Sequence, residues 1–199
     1  MEKRKREAAV SRKTKETDIR LKLCIDGEGK AEIDTSIPFM DHMLNLMATH
    51  GFFDLEIKAR GDTEIDDHHT LEDIGICLGM AFSRALDDRK GIWRYGSAVI
   101  PMDDALARVV VDCSNRPYLA YRVPTNLGKT GNFDIRLLKE FLRAFANHSG
   151  MTIHVDLLAG EDPHHISEAI FKGFGRALDS ALAVENRLQG MIPSTKGLL

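Results

Sequence analysis

Polar and apolar residues alternate from Thr17 to Ile25, in TDIRLKLCI, with the period of a half-buried strand, and the run ends at the turn pair Asp26-Gly27. A second short strand, KAEIDTSI, is expected to pair with it as a hairpin. Pro38 then opens FMDHMLNLMATHG, where Phe39, Met43, Leu46 and Met47 recur at helical spacing and Gly51 is the stop. FFDLEIKARG alternates again as a strand. Past the acidic loop DTEIDD, apolar residues at Leu71, Ile74, Leu78, Phe82 and Leu86 predict a long amphipathic helix. The first half thus reads β-β-α-β-α.

The second half follows the same order. SAVIPM, ALARVVVDCS and YLAYRV read as strands, DIRLLKEFLRAFANHSG as a helix ended by Gly150, MTIHVDLLAG as a strand and HHISEAIFKGFGRALDSAL as a helix. HGFFDLEIKARGDTEIDDHHTLEDIG lies over SGMTIHVDLLAGEDPHHISEAIF with three residues fewer in the second loop, which points to an internally duplicated half-domain. The expected fold class is α+β, built from two β-β-α-β-α halves whose sheets pack face to face with helices on the outside. The boundaries read as a basic tail over 1–11, half-repeats over 12–95 and 96–190, and a C-terminal segment over 191–199.

Composition narrows the class of protein. With 43% apolar and 29% charged residues over 199 positions, the chain can bury a core of ordinary size. A formal charge of −3 gives no reason to expect a nucleic-acid partner, and KRKR near the start, far from any aromatic residue, reads as a solvated tail. No apolar run approaches the ~20 residues a membrane span needs, so the expectation is a cytoplasmic protein with no membrane partner. Cys24, Cys77 and Cys113 are widely separated and form no C-x-x-C pair, and so read as reduced packing residues.

Candidate chemistry centres on HHTLED at 68–73 and HHISEA at 164–169, each a His-His-x-x-Glu pentad opening a predicted helix. Residues i and i+4 share a helical face about 6 Å apart, so His68 with Glu72, and His164 with Glu168, can each clamp a cation. His69 and His165 are rotated by roughly 100° and must look toward something else, which in a pseudo-two-fold or inter-subunit arrangement is a second metal, each ion taking a His and a Glu from one helix and the spare His from the other. A His pair at a helix start is more often merely solvated. Two copies at equivalent places of a repeat favour a metal site, and the repeat nominates His42 and Glu140, at nearly the same point of their helices, as further donors. LGKTG lacks the spacing of a phosphate-binding P-loop. Arg94, Arg116, Lys172, Ser194 and Lys196, in loops, helix and tail, are the residue types that grip a small phosphoester.

FMDHML, HHTLEDIG, SNRP, HHISEAIFKGFGRAL and PSTKG, in this order between Arg12 and Gly197, closely resemble the imidazoleglycerol-phosphate dehydratase family of histidine biosynthesis. The resemblance implies a metal-dependent lyase that converts imidazole glycerol phosphate to imidazole acetol phosphate. It further implies two manganese ions per site, no organic cofactor, and a homo-oligomer of twenty-four subunits built from trimers, with active sites between subunits. By position, His42, His69, His164 and Glu168 resemble the ligands of one ion, and His68, Glu72 and His165 those of the other, with Glu140 where familiar members have the remaining His. Leu46 stands where many members have Gln. Glu16, in TKET, resembles the residue that contacts substrate and moves protons, and Arg94, Arg116, Lys172, Ser194 and Lys196 resemble the phosphate grip, which makes 191–199 a substrate-binding tail.

On that resemblance an imidazole ring held by two cations loses its N–H proton readily and expels the neighbouring hydroxyl once a base takes the carbon-bound proton. Glu16 is the candidate base, with a metal-bound water or one of Glu72 and Glu168 as the alternative. Two rivals use the same ligands: a dinuclear metallohydrolase, which releases phosphate, and a non-catalytic metal-binding protein, which turns nothing over.

Overall fold

A computed structural model describes residues 5–188, 190–197 and 199. The principal strands are β1 (Glu7–Lys13), β2 (Thr17–Cys24), β3 (Ala31–Asp34), β4 (Asp54–Gly61), β5 (Tyr95–Met102), β6 (Ala105–Asp112), β7 (Tyr118–Arg122) and β10 (Thr152–Ala159), with a minor β8–β9 pair at Lys129–Thr130 and Phe133–Asp134. The helices are α1 (Pro38–Gly51), α2 (His68–Leu86), α3 (Leu137–Ser149) and α4 (Pro163–Leu182). Among the described residues no helix is long and apolar enough to cross a membrane.

The strand orders are β1-β2-β4-β3 and β5-β6-β10-β7, the same topology written twice. The class is α+β and duplicated as expected, but each half is β-β-β-α-β-α. The missed first strand, β1, covers residues 7–11 of the expected tail; its only buried residue is Val10, so it carries no apolar alternation to detect. Residues 1–4 of that tail lie outside the described residues. The expected hairpin between β2 and KAEIDTSI does not form. Instead β3 pairs parallel with β4, just as β7 pairs parallel with β10, because a helix intervenes in each case and makes a β-α-β crossover.

The layer order is the reverse of the expectation: the helices lie between the sheets. Helices α1 and α2 cover the first sheet and α3 and α4 the second, while α1 packs on α4 and α2 on α3 across the middle. Alternation along the strands already requires this. On β2, Ile19, Leu21 and Leu23 are buried and Arg20 and Lys22 exposed, so the sheet has one covered face and one wet one. Four rings run through the middle: Phe53, Phe82, Phe145 and Phe174 meet edge to face at centroid separations of 5.2, 5.4 and 5.1 Å.

Glycines set the helix spacing. A Cβ on Gly75 would stand 2.5 Å from the Phe141 carbonyl oxygen, one on Gly79 2.7 Å from that of Phe145, and one on Gly175 2.4 Å from that of Met47. Alanine suits a helix better than glycine by about 1 kcal/mol, but a clash with backbone cannot be relieved by a rotamer and overpacking typically costs ~1–3 kcal/mol. Gly75→Ala should therefore lower the urea midpoint of unfolding, whereas Gly173→Ala, whose Cβ would meet the Val109 side chain at 3.1 Å, should leave it nearly unchanged. Equal midpoints for the two variants would contradict glycine-limited packing.

Candidate functional site

Both pentads open helices, as their aspartates dictate. Asp162 accepts hydrogen bonds from the His164 and His165 amides at 2.7 and 3.3 Å, and Asp66 accepts from the His68 amide at 2.8 Å, satisfying N–H groups that the helix leaves unpaired. One turn on, the clamp geometry appears. His164 Nε2 lies 3.1 Å from Glu168 Oε1, and His68 Nε2 lies 3.7 Å from Glu72 Oε2.

The α1–α4 contact brings His42 into the second pentad. Its Nε2 lies 2.7 Å from Glu168 Oε1, so two imidazoles converge on one carboxylate oxygen, and Lys172 Nζ donates to the other oxygen at 2.7 Å. His42, His164 and Glu168 offer ligand atoms within 4.8 Å of one another, and no other group of three His, Cys, Asp or Glu does so among the described residues. Burial would raise the Glu168 pKa, but the hydrogen bonds from Lys172, His42 and His164 outweigh it and pull it down to about 2. Glu168 is thus an anion aimed between two histidines. Two imidazole nitrogens and a carboxylate oxygen suit a divalent cation such as manganese, iron or zinc.

His69 and His165 turn away from their own clamps, with ring centroids 6.2 and 6.3 Å from those of His68 and His164. Each is held by a carboxylate that sequence reasoning missed. His69 Nδ1 lies 3.0 Å from Asp62 Oδ2, and His165 Nδ1 2.7 Å from Asp104 Oδ1. Those pairs raise both histidine pKa values, Glu16 adding to the effect at His69. Asp104 itself is held low by the Glu161 amide, by His165 and by the Asp162 amide. The acidic turns DTEIDD and MDD were the available signal, but nothing local says which aspartate faces which ring.

Several expected partners do not meet within one chain. His69 does not join His42, His164 and Glu168, and neither His165 nor Glu140 joins His68 and Glu72 in a ligating group. Glu140 matches His42 in place, since both precede a left-handed C-cap residue, Phe52 or Gly150, by the same number of positions. Its carboxylate, however, accepts from Arg143 at 2.8 Å.

The expected phosphate grip is also divided. Arg94 donates to Asp112 at 2.8 Å and to the Pro193 carbonyl at 2.8 Å, which ties down the segment carrying Ser194 and Lys196. Exposed Arg116 stands 3.7 Å from the same Asp112. Lys172, by contrast, sits with Glu168 and lies 3.1 Å from the Met102 sulfur at the far end of β5. An extended strand rises about 3.3 Å per residue, so roughly 25 Å separates the two groups. Glu16 is exposed in the β1–β2 turn, close enough to His69 to act on its charge.

Comparison with known proteins fits this geometry. The family model described as imidazoleglycerol-phosphate dehydratase matches residues 35–178. Imidazoleglycerol-phosphate dehydratases of Syntrophobacter fumaroxidans and Geobacillus kaustophilus are 57% and 56% identical, covering 98% of this chain and 98% and 99% of their own. The crystal structure of the Pyrococcus furiosus enzyme superposes with a TM-score of 0.82 at 41% identity, over 96% of this chain and 100% of that one. The Staphylococcus aureus imidazoleglycerol-phosphate dehydratase gives 0.81 at 40% identity, over 89% and 99%. Sharing sequence over nearly its whole length and fold with these enzymes, the chain belongs to the imidazoleglycerol-phosphate dehydratase family, the hydro-lyases of histidine biosynthesis.

Proposed function

We propose that this chain dehydrates imidazole glycerol phosphate to imidazole acetol phosphate in a site that holds two manganese ions and is completed where copies of the chain meet. The carrying observation is the convergence of His42 and His164 on one oxygen of Glu168. Completion by other copies, on the trimer-built assembly of twenty-four, is supported by the separation of the parts: a His-Glu-His set, a second His-Glu clamp with Glu16 beside it, and a basic patch roughly 25 Å from Lys172.

On this reading His42, His164 and Glu168 with another copy's His69 hold one ion, and His68 and Glu72 with another copy's His165 hold the other. Glu140 completes the second set once its carboxylate leaves Arg143. Bound manganese supplies Lewis acidity that eases loss of the substrate's imidazole proton. Lys172 holds Glu168 Oε2 and so keeps Oε1 turned toward the histidines. Asp62 and Asp104 fix the second histidines by taking the Nδ1 hydrogen, which leaves each Nε2 as the ligand atom. The hydroxyl beside the ring departs as water with the proton the ring gives up, the Glu16 carboxylate takes the proton of the neighbouring carbon as general base and returns it to the ring, and the enol so formed tautomerises to the ketone. Arg116, Ser194 and Lys196 grip the phosphate, with Arg94 fixing their segment through the Pro193 carbonyl.

Manganese-loaded protein incubated with imidazole glycerol phosphate should yield a ketone, followed through its enol absorbance. Glu16→Gln should lower kcat about 10²–10⁴-fold, and His42→Asn should lose metal as well as turnover. Metal-loaded protein that leaves the substrate intact would overturn the dehydratase reading, and phosphate release in its place would identify a hydrolase.

Asp104→Asn should weaken manganese binding about 10–100-fold, as loss of a ligand-orienting carboxylate typically does. The sign with pH follows from the raised His165 pKa. The proton that competes with the cation binds more tightly in the natural chain than in the variant, so the affinity gap should be widest near pH 8 and narrower near pH 6. Equilibrium dialysis at both values measures it, and equal affinities would contradict the orienting role.

A further inference from the structure

The duplicated halves differ at the buried place where β1, β2 and α2 meet, and register identifies the equivalent residues. Up to the bulge that follows Leu157, strands β4 and β10 match residue for residue, so Ile19 opposite Ala59 corresponds to Ala107 opposite Leu157. Arg12 opposite Ile19 then corresponds to Ile100 opposite Ala107, and Thr17 at the start of β2 to Ala105 at the start of β6. The pentads add two more pairs: Thr70 matches Ile166 and Asp73 matches Ala169.

In the first half Arg12, Thr17 and Asp73 form a polar clamp. Asp73, buried on α2, accepts on Oδ2 from the Arg12 guanidinium of β1 and from Thr17 Oγ1 of β2 at 2.5 Å. In the second half Ile100, Ala105, Ile166 and Ala169 fill the same space with hydrocarbon. Both halves fold to the same topology, so the clamp is not what the topology requires. A buried ion pair is in general no more stabilising than well-packed apolar residues.

What the clamp does hold is the turn between β1 and β2. Thr14 Oγ1 accepts from the Glu16 and Thr17 amides, each at 3.0 Å, and lies 3.3 Å from Thr17 Oγ1, while the Glu16 carbonyl accepts from the Asp62 amide at 3.1 Å. Thr17 is the link from this turn to α2, the helix that carries His68, His69 and Glu72. Asp73 stands one residue beyond Glu72 and faces the sheet. The corresponding turn of the second half is fastened otherwise, by Asp104, which occupies the place of Glu16 and bonds His165 and the Glu161 and Asp162 amides. With its carboxylate spent on those contacts, Asp104 needs no clamp below it. Among the described residues Glu16 makes no side-chain hydrogen bond of that kind to anchor its turn, and a carboxylate that must reach substrate is better left free.

The geometry points to Arg12, Thr17 and Asp73 as positioning residues: a partly buried clamp, confined to the first half, that sets the Glu16 carboxylate over the first pentad. The inference rests on the role proposed for Glu16. The first half is thereby specialised to present a carboxylate and the second to orient a histidine, from the same place in a duplicated hairpin.

The test gives the first half the second half's own residues. The triple variant Arg12→Ile, Thr17→Ala, Asp73→Ala should keep a Tm within a few degrees of the natural chain and lose about 10- to 100-fold in kcat, the scale on which small displacements of a reacting group act. Placed in a Glu16→Gln background, the same three changes should cost less than about twofold more, because they act through Glu16. Backbone hydrogen exchange at residues 14–17 should quicken by about tenfold or more, and that readout needs no turnover. Natural kcat in the triple variant, a penalty carried in full into the Glu16→Gln background, or unchanged exchange would each overturn the clamp. If the natural chain itself makes no product, the dehydratase reading fails and exchange alone decides the clamp. Should the triple variant not fold, Asp73→Asn, which keeps the shape but removes the charge facing Arg12, must lower kcat several-fold by the same double-variant criterion, and an unchanged kcat would count against the clamp.

Discussion

Carbonyl oxygens lie against glycine α-carbons where the helices cross, and the position of every candidate ligand depends on that approach. At Gly175 the α4 backbone meets the Met47 carbonyl of α1; one to two helical turns away the same pair of helices brings His42 against Glu168. A side chain at the crossing would part the helices by more than the difference between a hydrogen bond and none. The aromatic column from Phe53 to Phe174 and the single covered face of each sheet fix the same geometry from either side. Stability and site assembly therefore draw on one packing interaction.

Duplication supplied two nearly identical frames, and the differences between them fall where chemistry is expected. The clamps His68–Glu72 and His164–Glu168 agree in spacing, yet the second histidines are held by carboxylates from different elements: Asp62 follows β4, whereas Asp104 belongs to the β5–β6 turn. Past the bulge in β10, Gly160 matches Gly61 and Glu161 stands where the first half has Asp62; Glu161 gives its backbone amide to Asp104, and Asp104 bonds the ring from the other side. One geometric requirement, a histidine ring fixed through Nδ1, is met twice by unrelated contacts. That argues for a demand on the ring and against a coincidence of surface charge.

Features that repeat along the chain were legible in the sequence, whereas those that depend on long-range choices were not. Alternation in β2 and β4, helical spacing in α1 and α2 and the i to i+4 clamps are local, and the structure carries all of them. The partner of β3 was misread because strand spacing alone cannot distinguish a hairpin from a strand that waits for a crossover helix. The layer order was open to better reading: Leu71, Ile74, Gly75, Cys77, Leu78 and Gly79 leave α2 apolar on more than one side, a sign of a helix covered from two directions. Arg12, Thr17 and Asp73 lie on three elements and up to 61 positions apart, so no window contains them. Only comparison of one half with the other brings them out.

The pseudo-symmetry also limits what one chain can do. Helix α1 sends His42 to α4, but its counterpart α3 does not send Glu140 to α2, because Arg143, one turn further along, holds the carboxylate at the surface. The first set is thus preformed with three donors, and the second keeps a single His–Glu clamp with His69 turned aside to Asp62. Two cations held at equal strength would require equal donor sets, which this chain alone does not offer. If a neighbouring copy supplies the missing nitrogen to each, the preformed set fills first and the weaker set responds most to assembly. On the two-ion reading proposed above, filling of the second set would then be tied to contact between copies, and a free chain would hold at most half the metal that this reading requires.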